Sequence, residues 1–227
     1  MEQFSILYED KEIFLLNKPV GVAVQGGNGV AHPLDDEFSK QVGYRVHLVH
    51  RLDKETAGIL IVAKTRDAAS KWIKLIQTDS VSKEYVAVCV GEPFVNGKKM
   101  SKGTLRGIVE AHGREQSAET YFTVEKTTAL PEDVCAANNI SLSLLHITLG
   151  TGRMHQIRIQ LAKANAPIAA DDLHGNFKVN KLLRKAGIKK LHLAATKLTL
   201  PIQGKPQTFE IPLPEHMQKT VDLYFKK

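Results

Sequence analysis

Apolar positions along the chain follow two rhythms. Short runs that are continuous or alternating predict strands over residues 4–8, 13–17 and 58–63. Between the second and third lies a stretch of turn formers, Gln25-Gly26-Gly27-Asn28-Gly29, followed by His32-Pro33. The period then lengthens. Over 65–78 the residues Ala69, Trp72, Ile73 and Ile76 recur at spacings of three and four, which predicts a helix. Strands follow over 83–90, 105–109, 119–125 and 141–149, with Asn96-Gly97-Lys98-Lys99 as a hairpin connection. A second helix is predicted over 154–164. Its core stripe is Met154, Ile157, Leu161 and Ala164, and His155, Arg158 and Ala162 lie on the adjacent face. Late strands over 191–200 and 208–211 and a closing helix over 214–225 complete the pattern. Strands outnumber helices and few alternate strictly with them. The expectation is an α+β fold with a mostly antiparallel sheet flanked by helices, spanning 1–227 as a single domain.

Composition narrows the partners. The 227 residues suffice for a sizeable core, and 43% hydrophobic with 24% charged residues is a globular mixture. Lys and Arg number 31 against 24 Asp and Glu, a formal net charge of +7. Such an excess favours a polyanionic partner, because each neutralised phosphate releases condensed counterions. Cys89 and Cys135 stand in no metal-ligand spacing and read as buried thiols in a reducing compartment. No secretory signal opens the chain. Its longest purely apolar run, 59–63, falls far short of the roughly 20 residues of a membrane span. The expected setting is the cytoplasm, with no membrane partner.

Two polar clusters carry the candidate chemistry. The first is His50-Arg51-Leu52-Asp53-Lys54-Glu55-Thr56-Ala57-Gly58, at the entrance of the apolar run 59–63. Basic groups, an acid and a hydroxyl at a strand entrance can form an active-site loop. They can equally form a solvated turn in which Asp53 caps backbone amides. The second is Gly150-Thr151-Gly152-Arg153-Met154-His155-Gln156-Ile157-Arg158, a glycine-flanked turn entering a helix. Anions gather at helix N-termini, yet a capped surface helix has the same composition. Spacing alone leaves both clusters open.

Taken together, these residues resemble a known signature. His50-Arg51-Leu52-Asp53-x-x-Thr56-Ala57-Gly58 resembles the central motif of the RluA family of pseudouridine synthases, and 151–158 is similar to that family's downstream motif. Asn17-Lys18-Pro19-Val20-Gly21, Lys83-Glu84-Tyr85, Pro167-Ile168-x-x-Asp171 and Leu191-His192-Leu193-Ala194-Ala195 match further landmarks in order. Gln160 stands where many members have His, Ala170 where Gly often precedes the aspartate, and Ala57 where Ser is frequent. The stretch 24–29 is similar to the branch acting on large-subunit ribosomal RNA. Members of that branch often carry an N-terminal S4 domain, which this chain is expected to lack.

The resemblance implies an enzyme that breaks the N1–C1′ bond of a uridine, turns the base and reattaches it through C5. The base must first leave its stack. Asp53 is implied to be the essential carboxylate, Arg158 to pair with it, and Tyr85 to stack on the target base and help remove the C5 proton. Arg51 resembles the arginine that fills the space of the flipped base, a role compatible with a phosphate contact. His50, Thr56, Arg153 and His155 complete the implied substrate contacts, the two histidines as hydrogen-bonding or structural residues rather than acid–base groups. The nine histidines show no HExxH or CxxC arrangement and the chain has no GxGxxG motif, so neither metal nor cofactor is expected. Structured RNA, ribosomal or transfer, is the expected partner, with no DNA and a monomer by default.

Two rivals stand beside this reading. A non-catalytic RNA-binding protein would not need Asp53, Tyr85 and Arg158 together. A hydrolase with paired acids would need two carboxyls around one sugar, which Asp53 and Glu55 on one extended segment do not supply. The basic stretch 178–185 fits an RNA-facing helix and a solvated charged face alike.

Overall fold

The computed structural model describes residues 3–27, 29–111, 113–131 and 139–226, so Cys135 lies outside the described residues. The chain packs as two compact units, residues 1–83 with 195–212 and residues 84–194 with 213–227.

In unit 1 the strands β1 (Ser5–Glu9), β2 (Ile13–Lys18), β4 (Ala57–Ala63) and β11 (Leu193–Ile202) lie in that order. The short β3 (His47–Leu48) pairs with β4, and β12 (Lys205–Glu210) with β11. The pairings β1–β2, β2–β4, β3–β4 and β11–β12 are antiparallel. All seven residues of β4 are buried, as expected of a strand covered on both faces, which is why it reads as an unbroken apolar run. Helix α1 (Leu34–Val42) and helix α2 (Arg66–Leu75) belong to this unit. Thr65 caps α2 by accepting the Ala68 N–H, and Trp72 enters a core with Ile13, Leu15, Ile59, Ile61, Leu198 and Leu200. The Trp72 indole N–H donates to Glu12 at 3.0 Å, which satisfies the ring's polar edge.

In unit 2 the strands lie in the order β5 (Ser82–Val90), β10 (Ser141–Leu149), β9 (Arg114–Ala129) and β8 (Lys102–Ala111), each antiparallel to its neighbour, so that β8 to β10 form a meander with β5 beside its last strand. The hairpin β6 (Phe94–Val95) to β7 (Lys98–Lys99) turns through Asn96 and Gly97, both at positive φ, as an Asn-Gly turn allows. Helices α3 (Gln156–Lys163), α4 (Phe177–Lys185) and α5 (Glu215–Tyr224) complete it. Its core joins Val86, Val88, Leu142 and Leu144 to Leu183, Ile188, Met217 and Phe225. Cys89 is fully buried, and burial raises its thiol pKa. The architecture is α+β with a sheet flanked by helices.

Three elements depart from the sequence pattern. Helix α1 leaves no hydrophobic period in the sequence, because only Leu34 and Phe38 are buried on it. Its real signals are three acids in the first turn, Asp35, Asp36 and Glu37, and a left-handed Gly43 at its end. The predicted helix over 154–164 begins later, at Gln156. His155 takes a left-handed conformation at φ 52° as its N-cap, and Met154 is 38% exposed instead of lying in the core stripe. Strand β3 is a two-residue pairing too short for periodicity to register.

Candidate active site

In unit 1 the motif 50–58 leads into β4. Asp53 is half-buried on a turn closed by the Thr56 N–H donating to its carbonyl at 3.0 Å. Lys54, Glu55 and Arg51 are exposed. Beneath the turn lies Lys18, 0% exposed at the end of β2. Its ammonium donates to the carbonyls of Pro19 (2.9 Å), Val22 (2.8 Å) and Lys54 (3.1 Å), matching three donors to three acceptors. The Gly21 N–H also donates to the Lys54 carbonyl, at 2.9 Å. Burial lowers the Lys18 pKa to about 8, and the nearby charges of Glu55 and Asp53 act against that fall. The Asn17–Gly21 landmark is therefore the floor of the Asp53 turn.

The remaining members of the motif are structural in different ways. His50 accepts the Ile61 N–H at Nε2, 3.1 Å, and burial followed by repulsion from Lys83 lowers its pKa to about 4. It is therefore neutral near pH 7 and holds the motif to β4. The Thr56 hydroxyl is buried and has no hydrogen-bond partner among the described residues. Gly58, at φ 122°, permits a close approach: a Cβ there would overlap the backbone of Ala195 on β11.

In unit 2 the centre is Arg158 on α3, only 7% exposed. Asp171, 1% exposed, grips it with two parallel bonds, Arg158 Nε to Oδ2 at 2.8 Å and Nη2 to Oδ1 at 2.7 Å. The same Oδ1 accepts the N–H groups of Leu173 and His174, both at 3.0 Å. Burial pushes the Asp171 carboxyl upward, but the bonds from Arg158 and the two N–H groups prevail and hold it below the usual carboxylate range. Its backbone carbonyl accepts the Asn180 side chain at 2.8 Å and the Gly175 N–H at 2.9 Å. One residue thus anchors α3, the loop 171–175 and α4.

The turn before α3 is held by Gln156, 2% exposed. Its Oε1 accepts from the Thr151 hydroxyl at 2.7 Å and the Arg153 N–H at 3.0 Å, while its Nε2 donates to the Glu119 carbonyl at 2.9 Å. His155 Nδ1 lies 3.0 Å from His174 Nε2, a second tie between this turn and the loop 171–175. The Arg153 side chain is exposed. Gln160 is buried and satisfied by Thr120, Leu105 and Ala118, so it ties α3 to β8 and β9. Ala170 has φ 58°, which gives a physical reason for the glycine usual before the aspartate. Tyr85 pairs with Ile147 in the β5–β10 register and is 7% exposed, so its ring is buried rather than presented to solvent. His192, from the last landmark, bonds the Thr220 hydroxyl at 2.8 Å, and burial lowers its pKa to about 4.

Sequence reasoning did not assign a role to Lys18 or Asp171. Both lie inside motif landmarks, and for Lys18 a single charge at the end of an apolar run is the available signal.

Comparison with known proteins agrees with these motifs. Residues 12–163 match the family model described as RNA pseudouridylate synthase. Ribosomal large subunit pseudouridine synthase C of Salmonella typhi is 32% identical, over 98% of this chain and 70% of that protein. The protein of the same description from Escherichia coli K12 is also 32% identical, over 94% of this chain and 68% of its own length. The solved structure of human RNA pseudouridylate synthase domain containing 4 superposes with a TM-score of 0.72, at 25% identity over 96% of this chain and 91% of that one. The matched span contains Asp53, Tyr85 and Arg158, and on this ground the chain belongs to the RNA pseudouridylate synthase family.

Proposed function

We propose that this enzyme converts a uridine of large-subunit ribosomal RNA to pseudouridine in the cytoplasm, with Asp53 as the essential carboxylate. The observation that carries the reading is the seat of Asp53. A half-buried acid stands on a turn whose backbone is fixed from below by a fully buried lysine, within the family's central motif. The ribosomal preference draws on relatives named for the large ribosomal subunit. No helix among the described residues is long and apolar enough to cross a membrane.

The reaction is redox-neutral: the N1–C1′ bond breaks, a C5–C1′ bond forms, C5 gives up its proton and N1 gains one. Asp53 supplies the carboxylate that such a cleavage needs, and a carboxylate can leave again once C5 has bonded. Arg158 is the cation that the family resemblance pairs with this acid, and within its own unit Asp171 holds that guanidinium in a fixed plane. Tyr85 is the residue the resemblance sets against the flipped base, Arg51 and Arg153, both exposed, bind the surrounding nucleotide, and the buried Thr56 supports the turn that carries Asp53. His50 and His155 position these groups through their hydrogen bonds. Residues 1–227 are read as a single catalytic domain, and the protein works as a monomer.

The test is tritium release from RNA carrying 5-³H-uridine, with ribosomal and transfer RNA transcripts offered separately. Wild type is expected to release tritium from a large-subunit ribosomal transcript and Asp53→Asn to release none. Release by Asp53→Asn at the wild-type rate would overturn the role of Asp53. Release only from transfer RNA would overturn the ribosomal assignment.

A further inference from the structure

Helix α4 carries a surface that the chemistry does not use. Its inward positions are settled: Leu183 is 0% exposed and Asn180 2%, with Val179 and Leu182 packed against the same core. Its outward face holds Phe177, Lys178, Lys181 and Lys185, at helical spacings of three and four. Phe177 is 75% exposed and Leu173, four residues earlier, is 64% exposed, the two most exposed large apolar residues described. Single exposed apolar residues are ordinary, whereas two such side chains set among cations need a reason.

The surroundings name the partner. Residues 173–190 hold six basic residues and no acid. Asp172 pairs with Arg184 at 2.5 Å, and Lys178, Lys181 and Lys185 stay exposed. An aromatic ring beside a row of lysines matches an unpaired stretch of nucleic acid, whose bases stack while its phosphates meet the cations. The shelf is also fixed in place. Asp171 holds Arg158 with its carboxylate and Asn180 of α4 with its carbonyl, and His155, before α3, bonds His174 in the loop that leads to α4.

We propose that Leu173, Phe177 and the outward lysines of α4 form a stacking shelf for unpaired RNA bases beside the target uridine. The proposal rests on the RNA-modifying reading above and extends it to a residue class that reads single-stranded RNA.

The test measures binding apart from chemistry. A ~12-nucleotide fluorescein-labelled oligouridine is titrated by anisotropy into wild type, Phe177→Ala, Phe177→Leu, Phe177→Trp and Lys181→Ala/Lys185→Ala. Because these side chains are exposed, all variants are expected to melt with wild type. Phe177→Ala is expected to weaken binding about tenfold, the scale of one lost base stack, with an unchanged salt slope. Phe177→Trp should restore affinity, and the lysine pair should flatten the salt slope by about 1.4. On the ribosomal transcript, Phe177→Ala should raise KM and leave kcat within about twofold. Unchanged oligouridine affinity in Phe177→Ala overturns the shelf. So does full rescue by Phe177→Leu, or a wild-type dimer that dissociates in Phe177→Ala. Weakened oligouridine binding without tritium release from any RNA would keep the shelf and sink the catalytic reading instead.

Discussion

Asp53 and Arg158 are held by opposite means. Asp53 rides on a turn whose backbone carbonyl at Lys54 is gripped from below by Lys18, while the neighbouring side chains of Lys54 and Glu55 stay in solvent. Arg158 is gripped directly, side chain to side chain, by the buried carboxylate of Asp171, which also organises the loop after it. A turn held through its carbonyls tolerates changes in the side chains it displays, since the bonds run to atoms every residue has. A charge held by another charge has no such tolerance. Removing either partner strands the other in a place water does not reach.

The largest effect should therefore come from Asp171→Ala. Leaving Arg158 buried without its carboxylate is expected to cost ~3–5 kcal/mol in urea denaturation, and replacing both partners by apolar residues should recover much of that loss. A cost near zero for Asp171→Ala would mean that the pair is not the anchor described here. Next comes Lys18→Met, which removes the buried ammonium that donates to three carbonyls and is expected to cost ~2–3 kcal/mol, with a parallel fall in tritium release. Glu55→Ala, on the displayed side of the same turn, should stay within about 0.5 kcal/mol. Equal losses from the two would erase the contrast between backbone and side-chain anchoring. The smallest effect should come from Ala170→Gly, just before the anchor. Relief of its left-handed backbone is expected to add ~0.5–1 kcal/mol to stability, read as a higher urea midpoint at unchanged slope. A loss of stability would show that Ala170 is not strained.

Periodicity served well where one face alone decided burial. The strand 141–149 and the helix beginning after Thr65 lie where the pattern put them. It failed where a backbone special intervened. His155 in the left-handed region breaks the helical phase one residue before Gln156, so the face shared by His155 and Arg158 does not exist as read. The motif residues Asp53, Tyr85 and Arg158 were legible by resemblance, since each stands in a short run of fixed spacing. The grip of Asp171 on Arg158 was not, because a bond between side chains 13 positions apart leaves no period in the sequence. The same is true of the burial of Tyr85, which sits in a run whose apolar neighbours extend on only one side.

Gly58 has a consequence for how the molecule is made. The central strand that follows Asp53 closes against Ala195, yet residues 84–194, a unit in themselves, come between them in the chain. During synthesis the carboxylate-bearing turn emerges early and waits, its strand unsheltered on that side, until the segment 195–212 leaves the ribosome. Long-range closure of this kind is slow. A nascent chain halted before residue 195 should hold an apolar strand open to aggregation, so the turn that carries Asp53 is among the first parts translated and the last to be housed.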